Sequence, residues 1–244
     1  MPPVVEAVAK VRELRLASNR AATRKLAATP TLFGEIRQPE SGNYLLIPSV
    51  SSERREYIPM AFMSADVIAN NLCLIVPGAT LYDFGVLTSS VHMAWMRAVA
   101  GRLKSDYRYS AAIVYNNFPW PEVENVANVK MLPMTNANSQ SADAKAMADK
   151  LGNGNIGTGN NSTMATLISA TAQAILDARA KYPDSSLADL YDPLTMPADL
   201  RAAHAANDRA VLAAYGLAAD TPEPEIVAHL FKLYAAQSRR KESR

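Results

Sequence analysis

From Gly101 to Ser110 the chain reads GRLKSDYRYS, and charged side chains fall at every second position: Lys104, Asp106 and Arg108, with Ser105, Tyr107 and Tyr109 between and after them. In an extended segment, residues two apart share a face, so the three charges would form one row about 13 Å long, with Tyr107 and Tyr109 turned the other way. Two cations flanking an anion have a definite chemistry. Lys and Arg donate to guanine O6 and N7, and Asp accepts from cytosine N4, the pattern that reads base edges in a major groove. Arg97 and Arg102 stand beside the row, and Arg54 and Arg55 occur in SSERREYIP; cations so placed suit phosphates. A salt-bridged strand face would carry the same residues, and alternation alone does not choose between the two.

VYNNFPWPEV, residues 114–123, is the second segment of interest. Asn116 and Asn117 suit adenine, and Phe118 and Trp120 suit stacking on a base; equally, a turn plugged by aromatics would look like this. Other chemistries find little support. The chain has no G-x-S-x-G, Walker loop or HExxH, and its three histidines, His92, His204 and His229, are isolated. Ser89 and His92 lie one helical turn apart, an ordinary helix spacing. GNGNIG matches G-x-G-x-x-G at Gly152, Gly154 and Gly157, but a dinucleotide turn follows a buried strand, and here SADAKAMADKL precedes it; a spacer is the better reading. The NNS and NST sequons have no meaning in a cytoplasmic chain. The single cysteine, Cys73, permits no internal disulfide and reads as a small apolar strand residue.

The 244 residues, 49% of them hydrophobic, suffice for one large domain or two small ones, and a net charge of +2 confines any nucleic-acid surface to a local patch. No long apolar run or signal peptide is visible, so a soluble cytoplasmic protein is expected. Residues 4–28 have helical spacing, with Val4, Val8, Val11 and Leu14 or Arg15 on one face and cations at Arg12, Arg15, Arg20, Arg24 and Lys25. Segments 44–50, 56–63 and 72–78 read as strands of a mixed sheet, 83–103 as a helix capped by Ser89 or Ser90 and stopped by Gly101, and 104–115 as a further strand. Residues 126–163, rich in Asn, Ser, Gly and Ala, read as a linker or insertion. Helices are expected near 164–181, 185–191, 197–215 and 222–238. The predicted class is α+β: a mixed-sheet domain over 1–125, the connection, and a small helical bundle over 164–244.

IPSVSSERREYIP, LYDFGVLTSSVHMAWMRAVAGRLKSDYRYS and VYNNFPWP together resemble the target-recognition domain of MmeI-like type IIL (IIG) restriction–modification enzymes. AQAILDARAKYPDSSLADLYDPLTMPADLRAAH resembles the helical C-terminal domain of the same family. The resemblance implies a module that recognises double-stranded DNA. In the family this module works beside a nuclease of PD-(D/E)XK type, which uses Mg, and an adenine-N6 methyltransferase, which binds S-adenosylmethionine and carries an Asn-Pro-Pro-Phe/Tyr motif. NNFPWP is not that motif, so the chain is expected to correspond to the C-terminal third of a larger enzyme and not to catalyse alone; a DNA-recognition subunit of a split methyltransferase, or a nonfunctional remnant, are the alternatives. The resemblance also implies base-choosing positions at Ser49, at Asn71 and Leu72, and at Lys104, Asp106 and Arg108, the row singled out above. Lys104 and Asp106 would then favour one G·C pair.

Overall fold

The computed structural model describes residues 2–123 and 161–242. The linker expected over 126–163 and the GNGNIG glycines lie outside the described residues, apart from 161–163, which open a helix. The chain starts with α1 (Pro2–Leu16) and α2 (Ala21–Lys25), followed by a 3-10 turn (Leu26–Ala28). Thus the single helix expected over 4–28 is two. The expected apolar face of α1 buries nothing: Val4, Val11 and Leu14 are exposed. The helix instead packs against α2 and the 3-10 turn. Arg15 holds that arm together by donating to the carbonyls of Leu26 at 2.9 Å, Thr29 at 2.8 Å and Leu32 at 2.8 Å.

Two small sheets follow, both antiparallel among the described residues rather than mixed. One has the order β3-β1-β4, from β1 (Asn43–Pro48), β3 (Ala61–Ser64) and β4 (Cys73–Pro77). The other has the order β2-β6-β5, from β2 (Val50–Ser51), β5 (Gly101–Leu103) and β6 (Asp106–Arg108). Tyr44, Leu45 and Ile47 of the central strand β1 are all buried, as a strand covered on both faces requires. Of EYIPMAFM only the last three residues, with Ser64, pair as a strand; Pro59 lacks the ladder donor.

The helix expected over 83–103 is also two, α3 (Leu81–Leu87) and α4 (Ser90–Val99). Thr80 and Asp83 form a capping box on α3, with Thr80 N donating to Asp83 Oδ2 at 2.7 Å. Ser89 breaks the run because its hydroxyl accepts from His92 N at 3.3 Å, capping α4. Residues 111–115 form a π-helical turn, not strand. After 160 the helices α5 (Asn161–Ala180), α6 (Leu187–Leu190), α7 (Ala198–Ala214) and α8 (Glu223–Glu242) follow the expected pattern.

Tyr82, Phe84, Gly85, Val86 and Leu87 of α3 are buried, leaving Asp83 at its N-terminal cap, and a helix so covered must be enclosed. It lies against α5 and α7, and one buried cluster runs from Leu45 through Phe84 and Trp95 to Ile168, Val211 and Leu230. Gly85 makes the approach possible: a Cβ there would stand 2.7 Å from Ile168 Cγ2 and 3.1 Å from Ala172 Cβ. Polar bonds cross the same seam. Asn207 Nδ2 donates to Gly85 O at 2.8 Å while its Oδ1 accepts from Thr171 at 3.0 Å. Buried Arg179 donates to Met60 O at 2.7 Å and to Tyr191 Oη at 2.8 Å. Tyr215 Oη donates to Pro119 O at 2.8 Å.

Asp208 is the carboxylate of this seam. Its carboxylate accepts from Tyr57 Oη and from Ser90 N, both at 2.7 Å. Burial raises its pKa from 3.8 to about 6, and nearby Glu56 adds to the rise, against those two hydrogen bonds. A folded-state pKa above the unfolded one means that its stability contribution is complete below pH 3.8 and is lost as pH climbs through about 6. Asp208→Asn is therefore expected to be the more stable protein at pH 7–8, by about 1–3 kcal/mol. The two should converge near pH 4, as thermal melts across that range would measure. Buried His92 and His204 act oppositely: burial lowers both to about 3, so each stays neutral in the fold, and stability falls in both proteins as pH drops below 6.5.

Candidate nucleic-acid interface

Ser49 is the residue at which the two sheets join. Its backbone N and its Oγ both donate to Leu72 O, at 2.9 and 2.6 Å, beside β4. Its own carbonyl accepts from Tyr109 N at 2.9 Å, just beyond β6. The end of β4's leading loop and the end of β6 are thereby tied to Ser49, while the Lys104–Ser105 turn lies at the opposite end of the β5–β6 ladder. The 70–72 loop is tight: Asn70 Oδ1 accepts from Leu72 N at 2.9 Å, and Arg37 Nη2 donates to Asn70 O at 2.9 Å. Asn71 and Leu72 stand outward, Leu72 with 63% of its surface exposed.

β5 and β6 form a two-residue hairpin. Gly101 pairs with Arg108, Arg102 with Tyr107 and Leu103 with Asp106, while Val50 of β2 pairs with Arg108 on its other side. Directly paired residues share a face, so Val50, Arg108, Gly101, Asp106 and Leu103 belong to one side. Arg108 is exposed there, and Gly101 beside it is open space: a Cβ would meet nothing within 4 Å. Tyr107 and Tyr109 are buried, as alternation predicts.

Lys104 departs from the expected row. It is not in the strand but is the first residue of the turn Lys104–Ser105, exposed, with φ +58°. A straight strand continuing through 104 would have kept Lys104 in line with Asp106 and Arg108. Tight hairpin turns need positive φ at this position and usually place glycine there, and a lysine there carries strain of about 1–2 kcal/mol. Lys104→Gly is expected to raise the unfolding free energy by roughly 0.5–1 kcal/mol, the relief being partly offset by glycine's freer unfolded chain. Urea denaturation checks this; a less stable variant would contradict the left-handed turn.

The proposed phosphate cations differ in their surroundings. Arg54 is exposed and Arg55 half-buried, both in the turn after β2, where Ser52 O accepts from Arg55 N at 3.1 Å. Arg97 is occupied within the fold: it forks onto Glu223 with Nε and Nη2 both at 2.8 Å, joining α4 to α8. Arg102 lies 3.8 Å over the Tyr107 ring and donates to Ser105 O at 2.8 Å. The VYNNFPWPEV aromatics belong to the core: Phe118 is buried edge-on against His92, ring centroids 4.4 Å apart, and half-buried Trp120 packs on Phe118 and Tyr115. Asn117 is turned back onto Ala112 O at 3.0 Å. His92 bonds Tyr109 Oη at 2.9 Å, while Ser89 serves as helix cap. Cys73 is half-buried on β4. Sequence reasoning did not find Asp208 or Arg179, whose importance depends on partners more than 100 residues away.

Two small antiparallel sheets joined at Ser49 and braced by a helical layer form the frame that the comparisons with known proteins match. The model of the MmeI target recognition domain matches residues 1–122, and that of the MmeI C-terminal domain matches residues 161–240. The chain belongs to the MmeI family. It is 35% identical over 240 residues to DNA methyltransferase A of Bacillus subtilis (strain 168), covering 98% of this chain and 23% of that protein. The solved structure of the type IIL restriction–modification enzyme MmeI in complex with DNA superimposes with a TM-score of 0.77 at 38% identity, covering 98% of this chain and 27% of that one. The chain thus spans about a quarter of the length of these relatives.

Proposed function

We propose that this chain is the sequence-reading module of a bifunctional adenine methyltransferase and endonuclease, binding double-stranded DNA through the junction at Ser49. Supporting this reading, the family comparison covers these residues, backbone bonds tie the exposed Asn71–Leu72 loop and the strand that carries Arg108 to Ser49, and Lys104 is exposed at the tip of the same hairpin. Lys104 donates to a guanine, and Asp106 accepts from the cytosine paired with it; Arg108 stands on the open face beside Gly101. The Ser49 hydroxyl already donates to Leu72 O, so what it offers a base is acceptor capacity. Arg54 and Arg55 suit backbone phosphates, whose contacts give affinity without sequence preference.

S-adenosylmethionine and Mg belong, on this reading, to other domains of the enzyme. The sequence contains no Asn-Pro-Pro-Phe/Tyr element, and among the described residues no three His, Cys, Asp or Glu side chains converge to hold a metal. None of the described helices is long and apolar enough to cross a membrane.

The test is a binding selection from random duplex DNA with the 244-residue chain at near-physiological salt. The expected result is an enriched motif with one fixed G·C pair. Binding without sequence preference, lost at moderate salt, would overturn the reading.

A further inference from the structure

We propose that Arg102 is a positioning residue that clamps the hairpin turn and thereby aims Lys104 and Asp106; this rests on the base-reading role given to those two above. Its guanidinium is committed on three sides. It lies 3.8 Å over the Tyr107 ring, Nη1 donates to Ser105 O at 2.8 Å, and Nη1 stands 3.7 Å from Glu53 Oε2. Glu53 in turn donates its backbone N to Asp106 Oδ1 at 3.4 Å. The contacts close a circuit around the turn: Arg102 to Ser105, through the chain to Asp106, across to Glu53, and back to Arg102.

The circuit has work to do. Lys104 adopts a left-handed backbone that its side chain disfavours, and the next residue, Ser105, is the one whose carbonyl Arg102 holds. On the other side, the Glu53 amide occupies one carboxylate oxygen of Asp106 and leaves the second free to accept from a base. A planar guanidinium can stack and donate in one pose; a lysine ammonium cannot. The neighbouring Glu53 carboxylate also makes this a poor place for a phosphate.

Arg102→Lys keeps the charge and removes the stacked fork; Arg102→Gln removes both. Because the side chain is half exposed, both variants should fold, as circular dichroism would verify. Two readouts decide the matter. Without DNA, amide hydrogen exchange in β5 and β6 should be several-fold faster in Arg102→Lys than in the natural chain. With DNA, discrimination between the selected duplex and one with the G·C pair inverted should fall about tenfold, while the slope of log affinity against log salt stays unchanged in both variants. Equal exchange and equal discrimination in Arg102→Lys would overturn the clamp. So would a slope reduced by about 0.9 in Arg102→Gln with discrimination intact, the mark of a lost phosphate contact. A natural chain without sequence preference, together with faster exchange in Arg102→Lys, would refute base reading and leave the clamp standing.

Discussion

A chain cut after residue 123 is expected to give no cooperative unfolding transition, whereas the whole chain is expected to unfold in one. The reason lies in what the second half covers. Tyr82, Phe84, Val86 and Leu87 of α3 are buried under a layer that includes α5 and α7. Trp95 of α4 packs on Phe231 and Tyr234 of α8, with ring centroids 5.2 and 5.9 Å apart. Each large side chain returned to water costs about 1.5–3 kcal/mol, so a handful of them exceeds the roughly 5–15 kcal/mol by which a domain is stable. Point variants at the seam should show the same dependence. Asn207→Ala leaves Gly85 O without the Asn207 donor, while the Thr171 hydroxyl keeps the carbonyls of Leu167 and Ile168, and is expected to cost about 1–3 kcal/mol. Calorimetry measures both effects. Two separated transitions, or a fragment that melts cooperatively, would show that the halves stand independently.

On the proposed reading, exchanging the charges with Lys104→Asp and Asp106→Lys together is expected to invert the preferred base pair rather than merely weaken binding. Asp tolerates left-handed backbone better than most residues, so the turn should survive the exchange. Each correct contact is worth about 1–3 kcal/mol against the wrong base, and the double variant should recover most of what each single variant loses. Selection from random duplexes reads the outcome. Retention of the original pair by the double variant would sink the assignment of Lys104 and Asp106.

The elements whose local chemistry decides their structure were legible in the sequence. β1, β4 and the four C-terminal helices carry their own stop signals, and alternation correctly buried Tyr107 and Tyr109. The breaks were harder to see. Ser89 is a good cap, yet it lies inside an apolar run that looks continuous, and Lys104 lacks the glycine or asparagine that would announce a turn. The exposed side of α1 misled because helical spacing records a face but not what covers it. At the candidate site, residue types and the family resemblance supplied the proposed positions, and their surroundings came only from the fold. That Ser49 bridges two sheets, that Arg97 is tied to Glu223 and that Arg102 lies on Tyr107 depend on pairing across the fold, to which spacing is blind.

With Lys104 reading a base as proposed, the left-handed backbone there also limits how such a module can change its preference. Valine, isoleucine and threonine are the side chains that tolerate positive φ worst, so they are closed to this position however useful their methyl groups would be against thymine. Glycine, asparagine and aspartate enter at least strain, and lysine itself shows that a long unbranched side chain can be held there. The open vocabulary at 104 is thus mostly one of hydrogen-bonding groups. A lineage exploring new targets can trade donor for acceptor at this corner, but a methyl-sensing letter has to be written on a neighbouring strand, where the backbone allows it.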